Sequence, residues 1–490
     1  MTSQQGTSPR AVAWASIETL VRHGMQFASG VILARLLTPD DFGLVAMLAI
    51  FVALAMTLSE SGFGAALIRQ PRQNDADAST AFWYNLAIGT VMALVLVGFA
   101  PTIARFYGRD ALVPIAWALA VNIWLTSLMT VHVALLTRNL NFRVQALASG
   151  IGNIGGVAVA IVLAFRGAGV WALVTQTLAT TFLNVVLLWM LHPWRPRVMF
   201  EMQSFRKLFA YGGYIFASSL VNAATLRLHT LLIGRLYSGS DLGMYSRAVT
   251  TRDSTQAMLT TVFSRVAFPV LARHGSDPAA LRARLKSGNQ LIMAVSLPAM
   301  LGLALVADDA VPILFGPQWS GTVPILQVLC LAGAIWPLQV SNVQVMMAQG
   351  RSGVMFALGL AKACILIGTM LVASKWGTLA IAWATVIGAV ASLAINTGYS
   401  RKLIDYGALD QLRDIGSYIL LTMGMLLIVA ATRHTIDGMG PGKRLLVEVV
   451  AGAGFYIGTA VMLRLPVVDF AIEVLRSLGP RHKVTDRRLR

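Results

Sequence analysis

Leu33-Ala34-Arg35-Leu36-Leu37-Thr38-Pro39-Asp40-Asp41-Phe42-Gly43 returns two hundred residues later as Ile233-Gly234-Arg235-Leu236-Tyr237-Ser238-Gly239-Ser240-Asp241-Leu242-Gly243. Arginine, leucine, aspartate and glycine coincide in the two copies. At an offset of 210, Val113-Pro114-Ile115 meets Val323-Pro324-Ile325, each preceded by Phe and Gly (Phe106 and Gly108; Phe315 and Gly316). At an offset of 208, Gly169-Val170-Trp171-Ala172 meets Gly377-Thr378-Leu379-Ala380. Three collinear matches at nearly constant offset argue for a duplicated unit. Chance recurrence of Arg-Leu and Gly around short loops is the competing reading of each match taken singly.

What is duplicated follows from composition. Of 490 residues 56% are apolar and 12% charged, half the charge of an ordinary soluble protein. Apolar stretches long enough for a crossing, about 20 residues each, fall near 11–37, 42–68, 80–104, 111–137, 144–165, 169–191, 208–235, 242–271, 289–307, 322–348, 354–374, 377–400, 415–432 and 445–463. The expected fold is therefore an all-α polytopic membrane protein of about 14 transmembrane helices: two parallel six-helix repeats plus two C-terminal helices. The expected boundaries are an N-terminal lobe over 1–200, a C-terminal lobe over 201–400, spans 13 and 14 over 401–464, and a cytoplasmic amphipathic and basic tail over 465–490. An even repeat keeps both copies in one orientation and places a substrate site at their interface.

The net charge of +18 would suggest nucleic acid in a soluble chain, but here anionic membrane lipid comes first and no nucleic-acid partner is expected. With both termini cytoplasmic, the inner segments hold 24 Lys and Arg against 7 in the outer loops, so the positive-inside rule selects that orientation. Eight further bases lie within spans: Arg22, Arg35, Arg227, Arg235, Arg247, Arg252, Arg265 and Lys362, against the acids Glu18, Glu60, Asp253 and Glu448. Arg35 and Arg235 stand at span ends, where snorkelling explains them. A guanidinium at mid-bilayer costs about 2.5 to 3.5 kcal/mol and faces a protein interior or a watery cavity.

Three spans carry a polar face at helical spacing. Span 1 has Glu18, Arg22, Gln26 and Ser29; span 7 has Tyr211, Tyr214, Ser218, Asn222, Thr225 and His229; span 8 has Arg247, Thr251, Ser254, Thr261 and Arg265, with Arg252 and Asp253 on adjacent faces. Together they could wall a hydrophilic cleft. Its excess of bases favours an anion, and guanidinium takes phosphate oxygens in a bidentate way that ammonium cannot. Arg22, Arg252 and Arg247 are thus the candidate diphosphate ligands. Tyr211, Tyr214, Ser218, Asn222 and Thr225 are candidates for sugar hydroxyls. Glu18, Glu60, Asp253 and His229 are candidates for coupling to an ion, each set against a structural role as salt-bridge partner or satisfied interior side chain.

Other signals carry no chemistry. Gly150-Ile151-Gly152-Asn153-Ile154-Gly155 has the dinucleotide spacing but lies inside a span, where close helix packing accounts for it. No nucleotide-binding loop, cysteine cluster or nucleophile elbow occurs, and Cys330 and Cys364 have no metal-ligand spacing around them. No metal site and no cofactor is expected.

At Arg35-Leu36-Leu37-Thr38-Pro39-Asp40-Asp41-Phe42-Gly43 the chain resembles the polysaccharide-export branch of the multidrug, oligosaccharidyl-lipid and polysaccharide flippase superfamily. Further matches are Gly167-Ala168-Gly169-Val170-Trp171-Ala172-Leu173-Val174, Trp194-Arg195-Pro196, Leu232 to Arg235 with Leu242 to Ser246, Phe315-Gly316-Pro317-Gln318-Trp319 and Gln349-Gly350-Arg351. The resemblance covers about residues 10 to 400 and is closest to colanic-acid-type oligosaccharide flippases. It implies a two-lobed bundle in a bacterial inner membrane that moves a polyprenyl-diphosphate-linked oligosaccharide to the outer leaflet by alternating access. It also implies a cationic cavity with arginines on the first and eighth helices, where Arg22, Arg247 and Arg252 stand without a matched motif. A polysaccharide polymerase and chain-length or export machinery are the protein partners to expect.

The rivals are a cation-coupled drug exporter of the same superfamily, which the excess of bases disfavours, and a membrane polymerase or ligase, which would need a long outer loop with catalytic Arg or His. The longest outer loop expected here runs only from Asp308 to Gly321. A scaffold without transport would need no buried arginines.

Overall fold

The computed structural model describes residues 24–60, 62–69, 75–271, 278–348, 352–435 and 438–468; within them the side chains of 65, 69, 207, 209–218, 260–271, 278, 347, 348 and 352 are outside the description. Every long element there is a helix. α1 occupies residues 24–36. Then follow α2 (Pro39–Glu60), α3 (Phe63–Arg69), α4 (Asp75–Tyr107), α5 (Leu112–Arg138), α6 (Phe142–Phe165), α7 (Val170–Leu191), α8 (Met202–Leu236), α9 (Gly239–Leu271) and α10 (Pro278–Phe315). A short 3-10 turn (Pro317–Trp319) leads into α11 (Thr322–Ala348), α12 (Ser352–Ala373), α13 (Thr378–Ile404), α14 (Ala408–Thr435) and α15 (Pro441–Met462).

Among the described residues eleven helices are long and apolar enough to cross a membrane, which makes this a multi-pass membrane protein. That is fewer than the fourteen crossings expected. The count covers only the fully described residues: of α8 and α9 long stretches lie outside them, and of the first span only α1 is described. The expected span 42–68 also divides: α2 stops at Glu60, Gly62 turns at φ +73°, and α3 resumes at Phe63. α10, with 38 residues, is about 57 Å long at 1.5 Å per residue, so it outruns an apolar layer of about 30 Å and carries its basic first turns out of it.

The two segments aligned at an offset of 200 form the same turn. Thr38 N–H and Oγ1 donate to Asp41 Oδ2 at 2.9 and 2.7 Å, and Asp41 N–H returns to Thr38 Oγ1 at 3.3 Å. Ser238 and Asp241 repeat all three bonds at 3.1, 2.6 and 3.1 Å. Each is a reciprocal cap satisfying N–H groups that the helix start leaves unpaired. The last glycine of each motif then lets the helices cross. A β-carbon on Gly43 would overlap the Gly239 carbonyl, and one on Gly243 would overlap the Pro39 carbonyl. Gly169 and Gly377, matched at an offset of 208, precede α7 and α13 with φ +53° and +100°, a region costly for other residues.

Helix neighbours recur in the same order. α2, α4, α5 and α7 pack as α9, α10, α11 and α13 do, with α6 against α7 and α12 against α13. The first group meets the second through α2 on α8 and α9. One apolar cluster runs through both, from Met47, Ile103 and Ile115 by Ile233, Leu242 and Tyr245 to Met300, Leu326 and Trp319. Elsewhere Gly152 of α6 lies on Thr180 and Gly155 on Leu183 of α7, close packing at two of the three glycines of the spaced segment.

α14 and α15 lean on α10. Arg444 pairs with buried Asp309, Arg433 with Asp308 at 3.2 Å, and Tyr456 Oη donates to the Ala294 carbonyl at 2.6 Å. At the other end of α10, Lys286 meets Asp414 at 2.7 Å and Gln290 Nε2 donates to the Asp414 carbonyl at 3.1 Å. Spans 13 and 14 are thereby clamped to one helix of the second group.

Candidate functional site

Side chains tie the two groups together at the end holding the 37–43 and 237–243 turns. Arg35 reaches out of its own half: Nε donates to the Leu314 carbonyl at 2.9 Å and Nη2 donates to the Ile313 carbonyl, both at the end of α10. Arg235 reaches the opposite way, its guanidinium carbon 5.5 Å from the Phe106 ring centroid at the end of α4. The sequence reading of both as snorkelling residues at span ends leaves out these contacts. They are exposed at helix ends, and each also ties its half to the other. Trp319 Nε1 and Gln318 Nε2 donate to the Ala34 carbonyl at 2.8 and 3.2 Å, and Phe42 stands edge-on to Trp319 at 5.2 Å.

Arg247, on α9 two turns below this junction, is 6% exposed. Its guanidinium carbon lies 4.3, 5.2 and 5.4 Å from the ring centroids of Phe42, Phe315 and Trp319. Its Nε is buried with no hydrogen-bond partner among the described residues. A β-carbon on Gly30 of α1 would stand 2.8 Å from Nη1, so glycine there makes room for the cation. This candidate diphosphate ligand is enclosed by aromatic rings, not open to a cleft. The enclosure went unread in the sequence, although Phe42 and the Phe315 to Trp319 stretch had both been singled out. Nothing in their spacing says that they converge on an arginine from another helix.

Arg252 lies deeper along α9, and its side chain retains 17% exposure. Its guanidinium donates from Nε and Nη2 to Asp253 Oδ1 at 2.9 and 2.7 Å, and its stem packs on Gly333 of α11. A candidate diphosphate ligand and a candidate coupling carboxylate thus form one ion pair. The stripe on α8 keeps Asn222 exposed and Thr225 half-buried, with Thr225 Oγ1 donating to the Val221 carbonyl at 2.7 Å. His229 is buried, its ring 5.1 Å from that of Tyr245. Glu60 ends α2 and is exposed. Glu18 and Arg22 lie outside the described residues, as do the side chains of Tyr211, Tyr214 and Ser218.

Two polar clusters lie apart from this boundary. Lys362, in the middle of α12, donates to Asn396 Oδ1 of α13 at 3.1 Å. At the opposite end of the first group, His132 and His192 face each other Nδ1 to Nδ1 at 3.0 Å, beside Trp189 and Trp194. Burial and the neighbouring Arg195 lower the pKa of His192, which stands just past α7. Among the described residues no three His, Cys, Asp or Glu side chains come close enough to hold a metal ion.

Comparison with known proteins gives this geometry its relatives. The chain is 26% identical over 460 residues to the teichuronic acid biosynthesis protein TuaB of Bacillus subtilis (91% of this chain, 93% of that one). It is 28% identical over 386 residues to the succinoglycan biosynthesis transport protein ExoT of Rhizobium meliloti (78% of each). It is 24% identical over 390 residues to the lipopolysaccharide biosynthesis protein WzxC of Escherichia coli (78% of each). In fold it is similar to the lipid II flippase MurJ in an inward closed conformation, with a TM-score of 0.74 at 15% identity, covering 93% of this chain and 98% of that one. It is also similar to an inward-facing multidrug transporter of the MATE family, with a TM-score of 0.58 at 12% identity over 80% and 98%. A family model described as "Polysaccharide biosynthesis protein" matches residues 32–324, well over half of the chain, from the Arg35 turn through the Arg247 cage to the start of α11: the chain belongs to the polysaccharide biosynthesis protein family.

Proposed function

We propose that this protein is a non-hydrolytic flippase, not an enzyme, that carries a polyprenyl-diphosphate-linked oligosaccharide repeat unit across the bacterial inner membrane for exopolysaccharide, capsule or O-antigen synthesis. The observation that supports the reading is a pair of arginines on α9, Arg247 in its aromatic cage and Arg252 paired with Asp253, in a molecule whose two helix groups are fastened together at one end. A cargo with a charged headgroup, hydroxyl-rich sugars and an apolar tail needs a path polar within and open to lipid at its side. The names and transport roles of the relatives support the same reading. The two groups would act as lobes over 1–200 and 201–400, rocking about the site, with 401–464 carried by the second lobe and both termini cytoplasmic.

Arg22, Arg252 and Arg247 would hold the diphosphate. The α8 stripe from Tyr211 to Thr225 would meet the glycan, and Glu18, Glu60, Asp253 and His229 are the groups through which an ion could bias transport. Arg252 would exchange one partner for another, since an anionic cargo competes with Asp253 for the same guanidinium. A ligand shifts a two-state equilibrium only by its difference in affinity for the two states, so a gradient or the membrane potential must supply direction. A polymerase and export machinery would receive the cargo.

The test is Arg22→Ala and Arg252→Ala in the native host. Each should abolish polysaccharide export while the protein stays folded and in the membrane; export at the wild-type rate in both would overturn the assignment. The rival on the same fold is a cation-coupled drug exporter. It would show instead as raised drug sensitivity of a deletion strain with normal polysaccharide.

A further inference from the structure

Arg247 has no use in a closed outer junction if its task is only to hold a diphosphate, because aromatic rings already occupy its surroundings. Its cage is drawn from both helix groups: Phe42 comes from the first, Phe315 and Trp319 from the second. No carboxylate is bonded to it among the described residues, and its Nε is buried without a partner. Burying a cation with only ring faces around it is expensive, and a desolvated cation over a ring recovers part of that cost. The Phe42 share of that recovery, from the nearest of the three rings, exists only while the two groups are together. Gly30 lies on α1 one turn beyond Gln26 and beside Ser29, so the described end of the span 1 stripe reaches the guanidinium.

We propose that Arg247 is the pin of an outer seal and that an anionic headgroup entering from the cleft withdraws it. Empty, the protein keeps the guanidinium in its cage and the outer ends stay closed. Loaded, the diphosphate offers charge-assisted hydrogen bonds that ring faces cannot match. The side chain turns toward the stripe, Phe42 parts from Trp319, and the remaining ties, Arg35 to the α10 carbonyls, Trp319 and Gln318 to the Ala34 carbonyl and Arg235 to Phe106, hold too weakly to keep the ends closed. Cargo occupancy and outer opening become linked through one residue with two alternative sets of partners. This rests on the flippase reading for the identity of the anion, but the seal itself does not.

The experiment is distance measurement by electron spin resonance on the full chain in nanodiscs. Spin labels go on Asp110→Cys and Ser320→Cys, exposed outer residues of the two groups, after Cys330 and Cys364 are replaced. Without ligand, the wild type should give one short distance, and Arg247→Gln should raise the long-distance population roughly tenfold. An unchanged distribution in folded Arg247→Gln overturns the seal. Should that variant fail to fold, Phe42→Leu and Gly30→Ala disturb the cage from its other walls, and the same lengthening is required of them. Inorganic pyrophosphate should lengthen the distance in the wild type and add nothing in Arg247→Gln. Lengthening in the variants without a pyrophosphate response in the wild type keeps the seal and overturns the diphosphate as what withdraws the pin.

Discussion

The two halves share a scaffold and differ in what they put on it. Their entry turns match bond for bond, Thr38 with Asp41 against Ser238 with Asp241, and the helices that follow pack in the same order. Among the described span-interior side chains, however, the unshared cations Arg247, Arg252 and Lys362 belong to the second half, whereas the first contributes Phe42, Gly30 and Gly43 at the junction. Arg35 and Arg235 occupy the same turn position, yet one finds carbonyls and the other a ring. Duplication accounts for the frame, and the charged chemistry is laid on it unequally.

That contrast can be broken at several points. The largest effect belongs to the tie by which the C-terminal helices hold the second group, the pairing of Arg444 with Asp309, whose side chain is 3% exposed. Arg444→Ala strands a buried carboxylate at a cost of about 3 to 5 kcal/mol. Thermal unfolding in detergent should show a large loss, and Asp309→Asn in the same chain should recover part of it.

Next comes the shared crossing. Gly43→Val and Gly243→Val each drive a side chain into the backbone of the opposite turn. Each should cost about 3 kcal/mol by overpacking, and equal losses in the two melting curves would sharpen the symmetry. A clear inequality would break it. The caps follow: Thr38→Ala and Ser238→Ala should each cost about 1 kcal/mol, again as a matched pair.

The smallest effect is a pH dependence confined to the first half. Burial and Arg195 hold the pKa of His192 below its ordinary value. The unfolded form therefore binds the proton more readily, and the contribution of this group is complete above about pH 6.5 and lost as pH falls below it. Hydrogen exchange around His192 to Arg197 should speed up at pH 5.5 relative to pH 7.5, and His192→Gln should flatten that difference. Equal exchange at both pH values in the wild type would remove the histidine pair from the account.

Much of this fold was legible because membrane insertion writes itself into composition. Length of apolar run, loop charge and the two Arg-Leu turns identify an all-helical polytopic chain and its matched segments. The break of α2 at Gly62 was missed since α2 and α3 are both apolar, and hydropathy does not register one glycine turn between them. The site was legible one helix at a time. The stripe on α8 and the arginines on α9 stand out by spacing, but the pairing of Arg252 with Asp253 joins neighbours on different helix faces, and the cage around Arg247 joins residues more than two hundred positions apart. Periodicity reports which face of a helix is polar and is silent on what meets it.

The most direct measurement follows the cargo. Polyprenyl-linked intermediates of the native host would be identified by mass spectrometry with and without this gene, with inverted vesicles reporting the leaflet that holds them. The flippase account predicts that one diphosphate-linked oligosaccharide accumulates on the cytoplasmic face when the gene is absent. An unchanged lipid pool on both faces, accompanied by raised sensitivity to cationic drugs, would contradict it.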